Sequence, residues 1–353
     1  MPENLPFTPR QLAPLLITLV AFVLVIYLTP HKDFFALDDR QYVTYNPDIK
    51  ELSVDNLKAI FSRQVNGNYH PVTMLSLMAD YALYGSHAQG YHATNIIIHC
   101  SSVIICFFIF LQLTQNIKPA FLVALLFGIH PLHVESVAWI SERKDMLYVL
   151  FYFSAMLSYL QYQKRYEQKF LWLTGSFFLL SLLSKGMAVT LPPVLLLLDY
   201  LKKRPFDKKL ILEKIPFFVL SLVLGVVAYL CQDDSGAISK RVIDNLTLSE
   251  RLMMGAYAIV HYLIKFLVPV NLSVLHPYPE KINGYYNALV YLSPLMVLAL
   301  AGVVFWKYRT NRVVLFGTVF FLANVALIIQ LLPVGGAIVA ERYTYLSYTG
   351  LFY

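Results

Sequence analysis

Apolar runs separated by short polar and basic segments set the pattern of this chain. Several runs reach the ~20 residues that a helix needs to cross a bilayer. The pattern predicts spans at Gln11–Thr29, Ala93–Leu113, Pro119–His130, Met146–Tyr162, Phe170–Leu183, Met187–Tyr200, Ile215–Cys231, Ala288–Trp306 and Val313–Leu332. Another begins near Tyr343 and runs into the chain end at Tyr353. Gly255–Val270 is apolar but interrupted by His261 and Lys265, and reads as a re-entrant or interfacial helix. The expected fold class is therefore all-α, a polytopic transmembrane helical bundle of about 11 spans. The period-two alternation of a membrane β-barrel is absent. The first run lacks small residues where a signal peptide would be cut, with Tyr27, Leu28 and Pro30 there instead, and reads as a retained helix.

Between the first two spans lies a long polar loop, residues 31–91. Val54–Arg63 and Pro71–Tyr84 read as short amphipathic helices on the membrane surface, separated by a turn at Val65-Asn66-Gly67-Asn68. Three basic clusters orient the bundle: Lys164, Arg165 and Lys169; Lys202, Lys203, Arg204, Lys208 and Lys209; Lys307, Arg309 and Arg312. Placing all three in the cytoplasm puts the long loop outside. Ser141–Asp145, Ser184–Gly186 and Gln232–Gly255 then lie outside as well.

Composition agrees with this class: 58% of the 353 residues are hydrophobic and 14% charged, with mean hydropathy +0.59. The net charge of +7 resides in short loops, where it sets topology and meets lipid headgroups, so it implies no nucleic-acid partner. Cys100, Cys106 and Cys231 fall in apolar stretches and read as inert thiols. P-loop, Gly-x-Ser-x-Gly, His-Glu-x-x-His and Cys-x-x-Cys motifs are missing. Asn-x-Ser/Thr sites stand at Asn245 and Asn271.

Ionisable groups beside membrane spans are expensive and mark function. Asp38 and Asp39 sit just beyond the first span. One reading makes one of them a general base for an attacking hydroxyl; the other makes them a loop-stabilising pair with Arg40. The stretch from His130 to Asp145 holds His130, His133, Glu135, Glu142, Arg143 and Lys144. His130, His133 and Glu135 read either as a metal cluster or, better, as a hydrogen-bond network, because Glu135 points off the histidines' face in a regular helix and Pro131 disturbs the geometry. Arg143 reads equally as a fork for a phosphate or as a salt-bridge partner of Glu142 or Asp145. Lys185, Lys265, Glu341 and Arg342 complete the candidate binding residues, the last two following Gly335-Gly336.

The motifs Leu37-Asp38-Asp39, Asn68-Tyr69-His70-Pro71, Tyr91-His92-Ala93-Thr94-Asn95 with His99, the His130–Asp145 stretch, and Ala340-Glu341-Arg342-Tyr343-Thr344-Tyr345-Leu346 occur in this order. In that combination the chain resembles the GT-C superfamily of integral-membrane glycosyltransferases. It most resembles the membrane region of the transmembrane and tetratricopeptide-repeat O-mannosyltransferases and their bacterial relatives. The resemblance covers nearly the whole chain as a single domain, residues 1–353, without tetratricopeptide repeats. It implies a polyprenyl-phosphate-linked sugar donor, a protein or glycan acceptor, and inverting transfer of a mannose-like hexose at the non-cytoplasmic face. Asp38 would be the base, Asp39 would orient it or the acceptor, and Arg143 would lie near the carrier phosphate. No cofactor is required; a divalent metal is possible but not favoured. The protein would sit in a bacterial inner membrane, or in the endoplasmic reticulum of a eukaryote. The alternatives are a multispan transporter or a non-catalytic protein that binds lipid-linked glycans. The chain shows no internal inverted repeat of the transporter kind.

Overall fold

Helices carry the computed structural model, which describes residues 7–28, 33–34, 37–238, 246–329 and 335–353. Asn245, noted in the sequence, lies outside the described residues, as do Phe35 and Ala36 ahead of the paired acids and Pro333 and Val334 ahead of Gly335. Helix α1, Pro9–Tyr27, opens with proline at its first position, where the missing N–H costs nothing. In the long loop, α2 spans Val54–Ser62 and α3 spans Pro71–Tyr84. Ser53 starts α2 by accepting a hydrogen bond from the Asn56 N–H at 3.2 Å, satisfying one of the orphan donors of a first turn. Between them, Val65 and Asn68 pair across a two-residue hairpin with N–O distances of 3.0 Å in both directions. Asn66 and Gly67 both take positive φ, 50° and 70°, the geometry that favours Asn-Gly in such turns.

The membrane part follows as α4 (Ala88–Thr114), α5 (Ile117–Ile129), the short α6 (Val134–Ala138), α7 (Arg143–Arg165), α8 (Gln168–Leu182), α9 (Leu191–Leu201) and α10 (Lys208–Asp234). Then come α11 (Leu248–Leu267), α12 (Ala288–Tyr308), α13 (Arg312–Val325) and α14 (Tyr348–Phe352). A central set packs α4 against α1, α5 and α7, with α8 on α7. His99, fully buried in α4, ties this core together through the Gly128 carbonyl at 3.0 Å and the Tyr345 hydroxyl at 2.6 Å. Helix α12 is mostly exposed apolar surface, as expected where lipid, not protein, is the neighbour.

Among the described residues, four helices are long and apolar enough to cross a membrane: α1, α4, α10 and α12. A fifth counts if α5 and the segment through α6, bent by 50°, form one broken span. Length and apolarity thus support four or five spans, against about 11 expected from the apolar runs. The reason is local. Helices α8 and α13 stop at 15 and 14 residues, about 22 Å at 1.5 Å per residue. Helix α7 is long, but it begins with Arg143, Lys144 and Asp145 and ends with Lys164 and Arg165. The region expected to be re-entrant or interfacial is one unbroken 20-residue helix, α11, opened by a reciprocal Thr247–Glu250 capping box.

One small sheet matters for the site. Strands β1 (His276–Pro277) and β2 (Ala337–Val339) pair antiparallel, with His276 opposite Val339. They set the backbone that leads into Glu341 and Arg342.

Candidate active site

The paired acids of the first loop lead directly into a tight π-helical turn, Arg40–Thr44, with Asp39 at its N-cap. Asp39 is fully buried, and its Oδ1 accepts the Ser141 backbone N–H at 2.8 Å. Asp38 keeps 38% of its side chain exposed. Its Oδ2 lies 3.6 Å from Lys144 Nζ, and its Oδ1 accepts from Asn66 Nδ2 at 3.4 Å. Adjacent residues therefore have different tasks: one carboxylate fastens the loop to the segment before α7, and the other faces solvent beside a cation.

Lys144 begins a larger charge cluster centred on Glu142, whose side chain is 1% exposed. Lys144 Nζ is 3.1 Å and Lys185 Nζ 3.9 Å from its two oxygens. Arg342 Nε is 3.4 Å from Oε1. Each cation also has a second acid: Lys144 has Asp38, Lys185 has Asp145, and Arg342 has Glu135 at 2.5 Å. The Arg342 backbone N–H also donates to Glu135, at 2.8 Å. Aromatic faces line the cations. Arg342 lies over Trp139 and Tyr343, Lys144 lies over Tyr42, and Lys185 approaches Tyr343 and Tyr148.

Burial alone would raise the Glu142 carboxyl, but Lys144, Arg342 and Lys185 outweigh it and hold it below the ordinary carboxylate range. Asp145 goes the other way. Burial and the Glu142 charge push it up, against the pull of Lys185. The two acids thus divide their protons unequally, as neighbouring carboxylates do. Burial opposes the charge on Arg342, yet Glu142, Tyr343 and Glu135 hold its pKa above the usual arginine value. His70 stacks on Tyr42 with ring centroids 5.1 Å apart. Burial, then Lys144 and Lys185, lowers it to about 3, so it is neutral at physiological pH.

The other expected residues lie apart from this cluster. Arg143 is sealed in the α3–α4–α7 contact and fully buried. It donates to Asp80 at 2.6 Å, Ser76 at 2.8 Å, the Tyr91 carbonyl at 2.9 Å, and Asn95. This corrects both sequence expectations: its acid is Asp80 rather than Glu142 or Asp145, and its fork does not face the outer surface. His130 and His133 contact backbone carbonyls of Phe266 and Phe127 and the rings of Tyr348, Tyr345 and Phe352. Glu135 turns instead to Arg342, away from the histidines, as helix geometry predicts. Among the described residues no three His, Cys, Asp or Glu side chains converge to hold a metal. Lys265 is not aimed at the cluster: it donates to the Val270 and Asn271 carbonyls of the loop that follows its helix. Glu341 accepts the Ser273 N–H at 2.5 Å and lies 3.6 Å from His276 Nε2, so it braces the approach to Arg342.

Sequence reasoning treated Glu142 and Asp145 only as partners for Arg143; their charge density was the visible signal. Asn66 was read only as part of a turn. Beyond it opens a groove of about 500 Å³, lined by Gln64, Asn66, Gly67, Ser235 and Ala237. It lies between the hairpin and the end of α10.

No family model matches the chain. It is 29% identical over 202 residues to a protein O-mannosyl-transferase of Caenorhabditis elegans, covering 54% of this chain and 28% of that protein. Over 178 residues it is 29% identical to a protein O-mannosyl-transferase of Drosophila melanogaster (48% and 21% covered). Over 167 residues it is 29% identical to one of Homo sapiens (41% and 22%). The chain spans less than a third of the length of these relatives. The crystal structure of the Archaeoglobus fulgidus oligosaccharyltransferase, tethered to an acceptor peptide with an NVT sequon, superposes with a TM-score of 0.51 at 15% identity. That superposition covers 98% of this chain and 49% of the other, and it shows a shared fold. Both findings agree with the GT-C resemblance carried by the motifs.

Proposed function

We propose that this chain is the membrane domain of a GT-C-type glycosyltransferase. It transfers a mannose-like hexose from a polyprenyl-phosphate carrier to an acceptor hydroxyl at the non-cytoplasmic face. The observation that carries the reading is a solvent-facing carboxylate, Asp38, 3.6 Å from the first of three cations gathered on Glu142. The protein O-mannosyl-transferase relatives and the oligosaccharyltransferase fold support it.

In this reading Asp38 takes the proton of the acceptor hydroxyl. The acceptor oxygen bonds to the anomeric carbon as the bond from that carbon to the phosphate oxygen breaks. The electron pair leaves on polyprenyl phosphate, and a single displacement inverts the anomeric centre. Lys144, Lys185 and Arg342 stabilise the charge that develops on the departing phosphate. With three cations in that role, the step needs no divalent metal. Asp39 is a positioning residue, holding the Asp38 turn on the Ser141 backbone. Arg143 anchors α3 beneath that loop rather than binding phosphate. We assign the remaining crossings to the Met146–Tyr162 part of α7 and to α8, α9 and α13, shortened or broken where the site needs polar groups at membrane depth; α11 does not cross, which keeps Lys307, Arg309 and Arg312 on the cytoplasmic side and Arg342 on the outer side.

The test is a purified, lipid-reconstituted protein given radiolabelled polyprenyl-phosphate mannose and a threonine-rich peptide. Asp38→Asn should lose ~10²–10⁴-fold in rate while still binding donor. Near-parental turnover by a folded Asp38→Asn protein would remove Asp38 from the chemistry. Donor translocation across the bilayer without transfer would favour a transporter.

A further inference from the structure

We propose that the segment from Leu267 to Leu275, between α11 and β1, is a lipid-inserting loop. Its apolar side chains lie in the leaflet on the Asp38 side of the membrane, at the boundary of headgroups and acyl chains. From there they fix the depth of Arg342. Beyond the end of α11 the segment is neither helix nor strand, and it has no ionisable side chain. Leu267, Val268, Val270, Leu272, Val274 and Leu275 are exposed by amounts from 38% (Leu272) to 76% (Leu267). So many large apolar groups in one short stretch mark a contact with something apolar.

The backbone points to lipid as the partner. Irregular backbone enters lipid only where its polar groups are satisfied within the protein. The Val268 N–H donates to the Ile264 carbonyl at 2.8 Å, and the Val270 N–H to the Val268 carbonyl at 2.9 Å. Lys265 donates to the Val270 and Asn271 carbonyls. The Ser273 N–H reaches Glu341 at 2.5 Å, and the Ser273 hydroxyl donates to the Leu275 carbonyl at 3.0 Å. Arg342 Nη1 donates to the Val274 carbonyl at 3.3 Å. These polar groups are taken up by the protein while the apolar side chains stay outside, the reverse of a loop built for water.

The neighbouring elements give the level. Helix α11 packs on α12, whose exposed apolar surface faces lipid, so the apolar surface continues from the span to the segment. Lys265 precedes the segment and Lys281 follows it; lysines flanking an apolar stretch suit the headgroup level. Tyr285, exposed on the next hairpin, is the residue type that gathers at that level. Interfacial elements of this kind sit ~5–10 Å into the boundary region. Depth matters here because Ser273 and Val274 hold Glu341 and Arg342 from behind, so the segment and the cation move together. Only the step from depth to donor binding rests on the glycosyltransferase reading.

The test is a spin label on the full chain in liposomes, with Cys100, Cys106 and Cys231 replaced by serine. Val270→Cys and Leu275→Cys carry the label in the segment. Lys58→Cys in α2 and Leu298→Cys in α12 give the water-facing and lipid-facing references, and all four positions are exposed. At 270 and 275 dissolved oxygen should relax the label and a water-soluble nickel chelate should not, with a depth between the two references. Nickel accessibility equal to that at position 58 would put the segment in water and overturn the proposal. Protection from both reagents would mean that protein covers it, and would overturn the proposal as well. Leu272→Asp should leave melting in detergent unchanged and expose the label at 275 to nickel. In the same liposomes the Kd for polyprenyl-phosphate mannose should then rise about tenfold, the loss expected of one hydrogen bond to a charged group. A label that leaves the lipid with parental donor affinity would overturn the link to Arg342 and spare the membrane contact. The depth readings need neither donor nor turnover, so they stand or fall apart from the glycosyltransferase reading.

Discussion

Neighbouring residues of like type have unlike roles here, and the difference is one of direction. Asp38 and Asp39 are equivalent in the sequence; a π-helical turn sends one to solvent and the other to the Ser141 N–H. No spacing rule encodes that turn, so the sequence identified the pair but not which member is buried. Arg143 shows the same limit. Its charge was legible, but Asp80 lies 63 residues away in sequence, and only packing brings the two together. Removing one partner of a buried ion pair strands the other, at ~3–5 kcal/mol. Arg143→Ala should therefore lower the melting temperature sharply, and the folded fraction should bind donor with parental affinity. A variant that melts like the parent but binds donor tenfold more weakly would return Arg143 to the phosphate. Asp145 supports a pH test. Its raised pKa means that lowering pH across neutrality adds a proton to Asp145 and removes a negative charge beside Lys185. Affinity for the anionic donor should rise as pH falls, and Asp145→Asn should bind tightly with little pH dependence. An identical pH profile in both proteins would exclude Asp145 as the titrating group.

At the scale of elements, what local chemistry specifies was legible and what long-range pairing specifies was not. Helices α2 and α3 form where the apolar pattern, Ser53 and Pro71 place them. Asn66-Gly67 marks its own turn through the positive φ that both residues adopt. The β1–β2 pair joins segments about 60 residues apart through two or three residues each, too short for any periodicity to register. Yet that pair and Glu341 set the approach of Arg342. The hairpin offers the sharper test. Gly67→Ala meets both an unfavourable φ and the Ser235 side chain. It should destabilise the protein by more than ~1 kcal/mol and slow turnover through the displaced Asn66, which donates to Asp38. Unchanged stability and turnover would mean that the hairpin does not pack on α10 in the membrane.

Over the whole molecule, two ionic networks lie near opposite ends of the α7–α10 bundle. One is the Glu142 cluster. The other joins Asp199, Lys214, Arg204, Glu213 and Tyr159: Lys214 is 2.9 Å and Arg204 3.5 Å from Asp199, and Arg204 is 2.7 Å from Glu213. The Tyr159 hydroxyl donates to Asp199 at 2.7 Å. The class was legible because hydropathy acts through bulk lipid; the number of crossings was not, because short and bent helices are decided by neighbours. The second network borders the basic loop from Lys202 to Lys209, so the positive-inside rule predicts a cytoplasmic position for it and an outer one for Asp38. With Cys100, Cys106 and Cys231 replaced by serine, Lys58→Cys in α2 should react with a membrane-impermeant maleimide in intact cells. Lys203→Cys should react only after the membrane is opened. Both positions are exposed, so a lack of labelling reports the membrane and not burial. The reverse pattern would put Asp38 in the cytoplasm and sink transfer at the outer face, since the base and the three cations would then face the wrong compartment.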